Sequence, residues 1–337
     1  MAGDALDRLP PALPTRAGAD INSSTGRNGF LVVCKTASFV EFYDPEKFTL
    51  IEEIRLPEFP HEVILNPERT KAYVSIYGSG VIGANIRPGT QIAVIDLATR
   101  KLEGFIELAP YLPPHGLMFD RAGMIWATAE SSNSIVIVDP KRGIVAGGIP
   151  IGSERTHWLA ITPDGGKLYA PHRNMTHVSV VDVPSRQVVK RIPSFIYECQ
   201  GVAVAPDGNR VYQAQSARAR IDVIDPRTDT VAGHVSVAEM PDVPPQLTRL
   251  KVSPDNRHVL MTFHTTGHTA VFDTADLRRQ HVFETGKGPM GVAFQEAGGT
   301  AFVANHDEGS ISVIDLAAMK IAGRFKTRIG PEMIACY

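Results

Sequence analysis

The stretch QGVAVAPDGNRVYQAQSARARIDVIDPRTDTVAGHV, from Gln200 to Val235, decides the fold of this chain. It divides into an apolar strand at Val202–Ala205, a Pro-Asp-Gly turn and a second strand at Val211–Ala214. A third strand ends at Asp225, and a fourth follows near residues 230–235. Proline, aspartate and glycine are the residues that tight turns require. Four short strands joined by such turns predict one antiparallel sheet.

The same unit recurs along the chain. An aspartate closes the third strand of each copy, at Asp44, Asp96, Asp139, Asp182, Asp225, Asp273 and Asp315. The spacings are 52, 43, 43, 43, 48 and 42 residues. A repeat of about 40–50 residues built from four strands is typical of the blades of a β-propeller. Six complete units are expected, starting near His61, His115, His157, Gln200, Thr248 and Met290.

The seventh unit is split between the two ends of the chain. Residues 29–57 contain the later strands of a unit but lack its first strand. The missing strand is expected at Gly330–Ala335, whose sequence GPEMIA matches GPMGVA at Gly288–Ala293. Pairing the two ends would close the ring and remove an exposed sheet edge. The prediction is an all-β, seven-bladed β-propeller with four antiparallel strands per blade, formed by a single domain over residues 29–337. Residues 1–28 are expected to form an N-terminal arm.

The units resemble the YVTN family of seven-bladed propellers, and are similar to lactonase-type propellers. The resemblance rests on PHEVILNPERTKAYVSIY from Pro60, PHGLMFD from Pro114, VSVVD from Val178 and PMGVAFQEAGGTAFVANHDEGSISVID from Pro289. It covers about residues 29–337 and implies the propeller fold. It does not select a function, because propellers host lyases, hydrolases, oxidoreductases and binding scaffolds.

The composition limits the classes of binding partner that are expected. A formal net charge of -2 gives no reason to expect nucleic acid or an anionic membrane. The apolar runs have the length of strands, and the first 20 residues lack the apolar core of a secretory signal. A cytoplasmic protein is therefore expected, with a trimmed exported precursor as the alternative. The 3 cysteines include no CxxC pair, which argues against a disulfide framework. A monomer or weak homo-oligomer that binds a small-molecule substrate is the expectation.

Two sets of equivalent positions should meet at one mouth of the central channel. The inner ring holds the residue that starts each first strand: Glu332, His61, His115, His157, Gln200, Thr248 and Met290. The outer ring holds the pair that ends each second strand: Cys34-Lys35, Ile76-Tyr77, Ala129-Glu130, His172-Arg173, Gln215-Ser216, Phe263-His264 and Asn305-His306. These rings contain 6 of the 11 histidines. A concentrated, titratable site is therefore expected there.

Four consecutive blades place a carboxylate and three imidazoles on the inner ring. Glu332, His61, His115 and His157 are the ligand types that Zn, Fe, Mn or Cu prefer. They are the predicted ligands of a divalent metal ion, and His264 or His306 across the mouth could replace one of them. The alternatives are a metal-free polar site and a water-filled structural channel.

The outer ring supplies candidate catalytic and binding groups. Glu130 is a candidate general base, because a carboxylate in a dry channel has a raised pKa. Tyr77 is a candidate proton donor. The full catalytic set is Glu130, Tyr77, His172, His264 and His306, and the substrate-binding set is Lys35, Arg173, Gln200 and Gln215. Two longer loops on the same face, 78–89 and 237–246, are candidate lids.

Three functions are compatible with these residues. The leading hypothesis is a metal-dependent lyase, lactone hydrolase or isomerase that acts on a small anionic or oxygen-rich molecule. An oxidoreductase stays open if the ion is iron or copper. The second hypothesis is a metal-free enzyme that uses histidines as acid and base and Lys35 or Arg173 to hold a carboxylate. The third is a non-catalytic propeller that binds a ligand or protein on the same face. No GxSxG, Walker or HExxH motif is present.

Overall fold

The computed structural model describes residues 29–79, 87–153, 155–194, 199–215, 219–237 and 248–337. The predicted arm at residues 1–28 and most of the two candidate lid loops lie outside these ranges. No helix within them is long and apolar enough to cross a membrane.

The described residues form seven four-stranded antiparallel sheets. Blade 1 contains β28 (Pro331–Cys336), β1 (Phe30–Cys34), β2 (Phe39–Tyr43) and β3 (Leu50–Arg55); blade 2 contains β4 (Pro60–Leu65), β5 (Lys71–Ser79), β6 (Arg87–Asp96) and β7 (Lys101–Glu107). Blade 3 contains β8 (Pro114–Phe119), β9 (Ile125–Ala129), β10 (Ser134–Asp139) and β11 (Ile144–Pro150); blade 4 contains β12 (Ala160–Ile161), β13 (Lys167–Pro171), β14 (His177–Asp182) and β15 (Gln187–Pro193). Blade 5 contains β16 (Cys199–Val204), β17 (Val211–Gln215), β18 (Arg220–Asp225) and β19 (Thr230–Ser236); blade 6 contains β20 (Leu250–Val252), β21 (His258–Phe263), β22 (His268–Asp273) and β23 (Gln280–Glu284). Blade 7 contains β24 (Pro289–Phe294), β25 (Thr300–Asn305), β26 (Ser310–Asp315) and β27 (Lys320–Lys326).

The blades close into a ring. The first strand of each blade contacts the first strand of the next, in the cycle β4, β8, β12, β16, β20, β24, β28 and back to β4. The C-terminal strand β28 pairs antiparallel with β1, with Ile334 opposite Val32 and Met333 opposite Val33. The predicted seven-bladed propeller is therefore confirmed, and so is its closure by the two ends of the chain. Closure leaves no open blade edge at the ends.

The hydrophobic core lies between blades. Each of the seven apolar clusters contains side chains from two adjacent blades. The clusters on either side of blade 1 include Met333 and Ile334 from β28. Burying a large aliphatic side chain contributes about 1.5–3 kcal/mol. The C-terminal strand therefore stabilises the ring by packing as well as by hydrogen bonding.

The recurring aspartates have a structural role. In each blade the aspartate lies at the end of the third strand, and its carboxylate accepts a hydrogen bond from a backbone N–H two or three residues later. Asp139, for example, accepts from the N–H groups of Lys141 and Arg142 at 3.0 and 3.1 Å. Such Asx turns shape the connection to the fourth strand. The residue that reveals the repeat is therefore a turn residue, remote from the channel.

Candidate functional site

A cavity of about 400 Å³ lies at one mouth of the channel. Its lining is polar and mostly cationic or imidazole, and consists of Lys35, His61, Tyr77, His157, Arg173, Arg249, His264, Met290, His306 and Glu332. Eight of these ten were predicted as site residues from the sequence. The structure therefore gathers them from five blades around one space.

Six of the seven outer-ring pairs follow one rule, and the pair Gln215-Ser216 lies within the described residues only at Gln215. The second member of a pair faces the cavity or lies directly below it, as Tyr77 and His264 do, while the first member packs inside the blade, as Ile76 and Phe263 do. Side chains alternate between faces along a strand, so only one member of a pair faces the channel.

This rule corrects two predicted site residues. His172 is buried inside blade 4, with its ring nitrogens 2.9 Å from Thr156 Oγ1 and 2.8 Å from Ser179 Oγ. Burial lowers its pKa to about 3. Gln215 is likewise buried in blade 5, where it donates to Asp222 Oδ2 at 2.6 Å. Neither residue lines the cavity. Gln200 lies on β16, and its side chain is outside the described part of the structure.

A chain of hydrogen bonds runs beneath the cavity floor. Tyr77 donates to Glu130 Oε2 at 2.6 Å, and Glu130 Oε1 lies 2.8 Å from His157 Nδ1. Arg249 NH1 lies 3.0 Å from His157 Nε2. A guanidinium can only donate, so His157 Nε2 is the acceptor and the neutral ring carries its proton on Nδ1. That proton is then donated to Glu130, which also accepts from Tyr77.

Burial shifts the pKa values of the groups in this chain of hydrogen bonds. Burial raises the pKa of Glu130 to about 7, although the hydrogen bond from Tyr77 acts in the opposite direction. Burial also places the pKa of His157 well below its usual range, and the neighbouring cations reinforce this shift. His157 is therefore a neutral imidazole at pH 7, in the protonation state that a general base needs.

Arg249 lies at the centre of the site. Besides His157, its guanidinium donates to Glu62 Oε1 at 3.0 Å and to Glu332 Oε1 at 3.3 Å. It also lies 4.9 Å from the ring centroid of Trp158. The side chain is only 4% exposed. One buried cation therefore links groups from blades 1, 2 and 4 across the channel.

The three inner-ring histidines form a closely packed arc, with neighbouring rings tilted by 53° and 39°. Ring centroids are 4.3 Å apart for His61 and His115, and 4.0 Å apart for His115 and His157. Burial lowers the pKa of all three well below the usual histidine range. Neither ring nitrogen of His115 has a hydrogen-bond partner among the described residues. The arc is thus neutral, and its middle member offers a free lone pair.

Sequence reasoning missed Glu62 and Arg249. Each follows an inner-ring position by one residue, and alternation alone would turn it away from the channel. In blade 2 the pairing of β4 with β5 shifts register between Pro60 and Val63, a bulge that lets His61 and Glu62 both face inward. Ser75 Oγ accepts from the N–H of Glu62 at 3.0 Å and holds this bulge.

A signal for these two residues was present in the repeat. The equivalent position is Gly116 in blade 3, Gly201 in blade 5 and Gly291 in blade 7. At Gly291 an added Cβ would lie 2.3 Å from the backbone oxygen of Glu332, so small residues are favoured where blades approach closely. Trp158 in blade 4 and Met333 in blade 1 are large residues at the same position, so the signal carried by Glu62 and Arg249 is their charge.

Several His and carboxylate groups are close enough to hold a metal ion. The ligand atoms of His61, Glu62 and His115 lie within 4.8 Å of one another, and so do those of His115, Glu130 and His157. However, Arg249 already bonds Glu62 Oε1 and His157 Nε2. A divalent cation beside that guanidinium would meet strong repulsion in a buried site. The arc therefore fits a metal poorly while Arg249 stays in this position.

Comparison with known proteins identifies solved structures that share this fold. No family model matches the chain, and no curated protein matches its sequence. Among solved structures, the Pseudomonas aeruginosa periplasmic gluconolactonase superposes with a TM-score of 0.75 at 16% identity, over 92% of this chain and 98% of that one. The chain has the fold of the lactonase-like seven-bladed propellers. A putative 6-phosphogluconolactonase from Bacteroides fragilis gives 0.74 at 14% identity over 94% and 100% of the two chains.

The same fold carries other chemistry. Kuenenia stuttgartiensis hydrazine synthase matches with a TM-score of 0.67 at 15% identity, over 81% of this chain and 88% of that one. These likenesses establish architecture, because identity at this level does not carry a site from one protein to another.

Proposed function

We propose that this protein is an enzyme that hydrolyses a lactone of a small, anionic, oxygen-rich acid in the cavity at the channel mouth. The observation that carries the proposal is the buried chain from Tyr77 through Glu130 to His157, which ends on Arg249. It contains a neutral imidazole, a carboxylate that orients it and a cation that donates to its second nitrogen. These are the parts that general-base catalysis with oxyanion stabilisation requires.

The cavity charge supports an anionic substrate. Lys35, Arg173 and Arg249 line it, against Glu332 as the only carboxylate among the described lining residues. Arg173 can hold a carboxylate or phosphate through two parallel hydrogen bonds, whereas the N–H groups of Arg249 already bond His157, Glu62 and Glu332. The volume has room for about 13 water-sized groups, which suits a sugar acid. The names of the structurally similar gluconolactonases agree with this substrate class, as an analogy of fold.

The reaction follows from the tautomer of His157. Its Nε2 takes a proton from water when Arg249 turns toward the substrate, and the hydroxide oxygen bonds to the lactone carbonyl carbon. Arg249 donates to the oxyanion that forms, while Glu130 accepts from Nδ1–H and stabilises the imidazolium. The ring C–O bond then breaks, and the leaving oxygen takes the proton from His157. The product is the open hydroxy acid.

The experiment is hydrolysis of glucono-1,5-lactone and 6-phosphogluconolactone by the purified full chain, followed by acid release. We expect a rate above the uncatalysed one, a preference for the phosphorylated lactone and loss of activity in His157→Ala. Neither lactone being hydrolysed faster than in buffer would reject this substrate class.

A metal-dependent version of the site is the second candidate. It is favoured by the unpartnered nitrogens of His115, whose ligand atom lies within 4.8 Å of those of His61 and Glu62 in the described structure. Zn, Fe, Mn or Cu held there would act as a Lewis acid on a carbonyl oxygen, provided that Arg249 moved away. Metal analysis of protein purified without chelator tests it, since this version predicts a near-stoichiometric ion that His115→Ala removes.

The cellular context stays a prediction. We propose a cytoplasmic protein that acts as a monomer or weak homo-oligomer on a small molecule, without nucleic acid or membrane partners. Light scattering coupled to gel filtration tests the first point, and fractionation of the native host tests the location.

A further inference from the structure

A third His and carboxylate group lies at the rim of the cavity, away from Arg249. It consists of His264, His306 and Asp307, whose ligand atoms lie within 4.8 Å of one another. His264 Nε2 is 3.5 Å from Asp307 Oδ2, and His306 Nδ1 is 2.9 Å from Asp307 Oδ1. Ligands held 2.0–2.2 Å from a tetrahedral ion stand about 3.3–3.6 Å apart. Each imidazole is thus near ligand spacing from one carboxylate oxygen, and one ligand atom from each of the three groups must close from at most 4.8 Å to surround one ion.

The charges at the rim differ from those of the histidine arc. In the described structure, the ion-pair contacts of Asp307 are with His264 and His306, and no lysine or arginine shares its carboxylate. Arg249 bonds Oε1 of Glu332, whereas Oε2 of that carboxylate lies 3.6 Å from His306 Nε2. A divalent ion at the rim would thus replace no existing cation.

The backbone holds the rim residues in place. The N–H of His306 donates to the carbonyl of Gly288 at 2.8 Å, and its carbonyl accepts from the N–H of Gly330 at 3.2 Å. Gly288 has a φ of +66°, and a Cβ there would lie 2.7 Å from Cγ of Asp307. The close approach of this loop therefore depends on glycine. His306 and Asp307 are fixed between blades 7 and 1, and His264 reaches them from blade 6.

The second ring nitrogen of His306 has the partners that a metal-bound histidine usually has. With Nδ1 directed to the ion, Nε2 faces Thr36 Oγ1 at 3.4 Å and Glu332 Oε2 at 3.6 Å. Ligating histidines commonly turn the other N–H toward a carboxylate or hydroxyl, which sets the tautomer and the ring orientation. Glu332 would then serve both Arg249 and the rim.

We propose that His264, His306 and Asp307 form a binding site for a divalent transition-metal ion, best suited to Zn²⁺, at the blade 6–blade 7 rim. Two imidazoles and one carboxylate leave coordination positions open. His264 and His306 both line the cavity, so these positions face the bound molecule. The ion would add a charge that captures an anionic oxygen of the substrate, a role that rests on the proposed lactone hydrolysis.

Zn²⁺ titration of the chelator-stripped full chain, by calorimetry, tests the site. We expect one ion per chain and at least a tenfold loss of affinity in His264→Ala and in Asp307→Asn. His115→Ala in the arc and His281→Ala, an exposed position on β23, should bind as the wild type does. No binding by the wild type would overturn the proposal, and so would loss of binding in His115→Ala with retention in His264→Ala.

The same variants separate this proposal from the proposed reaction. Zn²⁺ binding without hydrolysis of any tested lactone would reject the reaction and keep the site. Hydrolysis by a wild type that binds no Zn²⁺ would reject the site and keep the reaction. If both hold, His264→Ala should raise KM for the phosphorylated lactone more than for the neutral one, and an equal effect on both would reject substrate capture by the ion.

Discussion

Replacing Arg249 by methionine should destabilise the protein by an amount that depends strongly on pH. The guanidinium bonds Glu62, Glu332 and His157 at 3.0–3.3 Å, and it is nearly fully buried. Removing one partner of a buried ion pair costs about 3–5 kcal/mol, because the remaining charge is left without compensation. Methionine keeps most of the side-chain volume but loses the guanidinium over the Trp158 ring, so the loss reports mainly on the charge and its hydrogen bonds.

The pH dependence follows from Glu62. Burial raises its pKa from 4.5 to about 8, and Arg249 acts against this shift. The folded protein therefore holds a proton that the unfolded chain releases, so this group's contribution to stability falls as pH rises from about 4.5 to 8. Without Arg249 the folded pKa rises further, and the fall continues above pH 8 at up to about 1.4 kcal/mol per pH unit. We expect a loss of about 1–3 kcal/mol at pH 5, from broken hydrogen bonds, and about 3–5 kcal/mol at pH 9.

Urea unfolding followed by far-UV circular dichroism measures the effect at both pH values. This signal is preferred to tryptophan fluorescence because Trp158 itself contacts Arg249. Arg279→Met is the matched control, since its side chain is 75% exposed and its ion-pair contacts are 3.9–4.0 Å long. It should change stability by less than about 0.5 kcal/mol at either pH. Equal losses for Arg249→Met at pH 5 and pH 9 would show that Arg249 does not compensate buried carboxylates.

Further predictions concern the cavity. Glu130→Gln should lower kcat for lactone hydrolysis by about 10²–10⁴-fold, measured at saturating substrate. Tyr77→Phe removes the hydrogen bond that lowers the pKa of Glu130. The acidic limb of the pH–rate profile of this variant should therefore move to higher pH. An unmoved limb would contradict the hydrogen-bonded chain from Tyr77 through Glu130 to His157. Lys35→Met and Arg173→Met should each raise KM about tenfold or more with smaller changes in kcat. His172→Ala should cost about 1–3 kcal/mol in urea unfolding by leaving buried hydroxyls unpaired, while a changed kcat/KM would place that residue in the site after all.

The sequence predicted the fold because the repeat is carried by local turn chemistry. Each of the seven aspartates caps the same turn, so counting them counted blades, and the match of residues 330–335 to residues 288–293 located the closing strand. The cavity lining was largely predicted for the same reason. Equivalent positions in a repeat occupy equivalent places, and Lys35, Tyr77 and His306 face one space as their register requires.

The site residues that were wrongly predicted or missed depend on structural features that the alignment of repeat units does not encode. His172 was placed in the site because both members of a pair were taken to face the channel, whereas strand alternation turns one inward. Glu62 was missed because a bulge in β4 redirects the residue after His61. Arg249 was missed because it lies just before β20 (Leu250–Val252), where strand alternation does not apply. The fit of a metal to the arc depended on Arg249, whose guanidinium reaches across the channel from blade 6 to blade 2. Such a contact joins blades that are distant in the sequence, and it exists only in the closed ring.

The central claim is that His157, held by Glu130 and Tyr77, is the general base of a lactone-hydrolysing site. The most direct test compares initial rates of 6-phosphogluconolactone hydrolysis by wild type, His157→Ala and His172→Ala in pH-stat assays at pH 7. We predict at least a 10²-fold fall in kcat/KM for His157→Ala and a rate within about twofold of wild type for His172→Ala. Equal activity of wild type and His157→Ala would contradict the account.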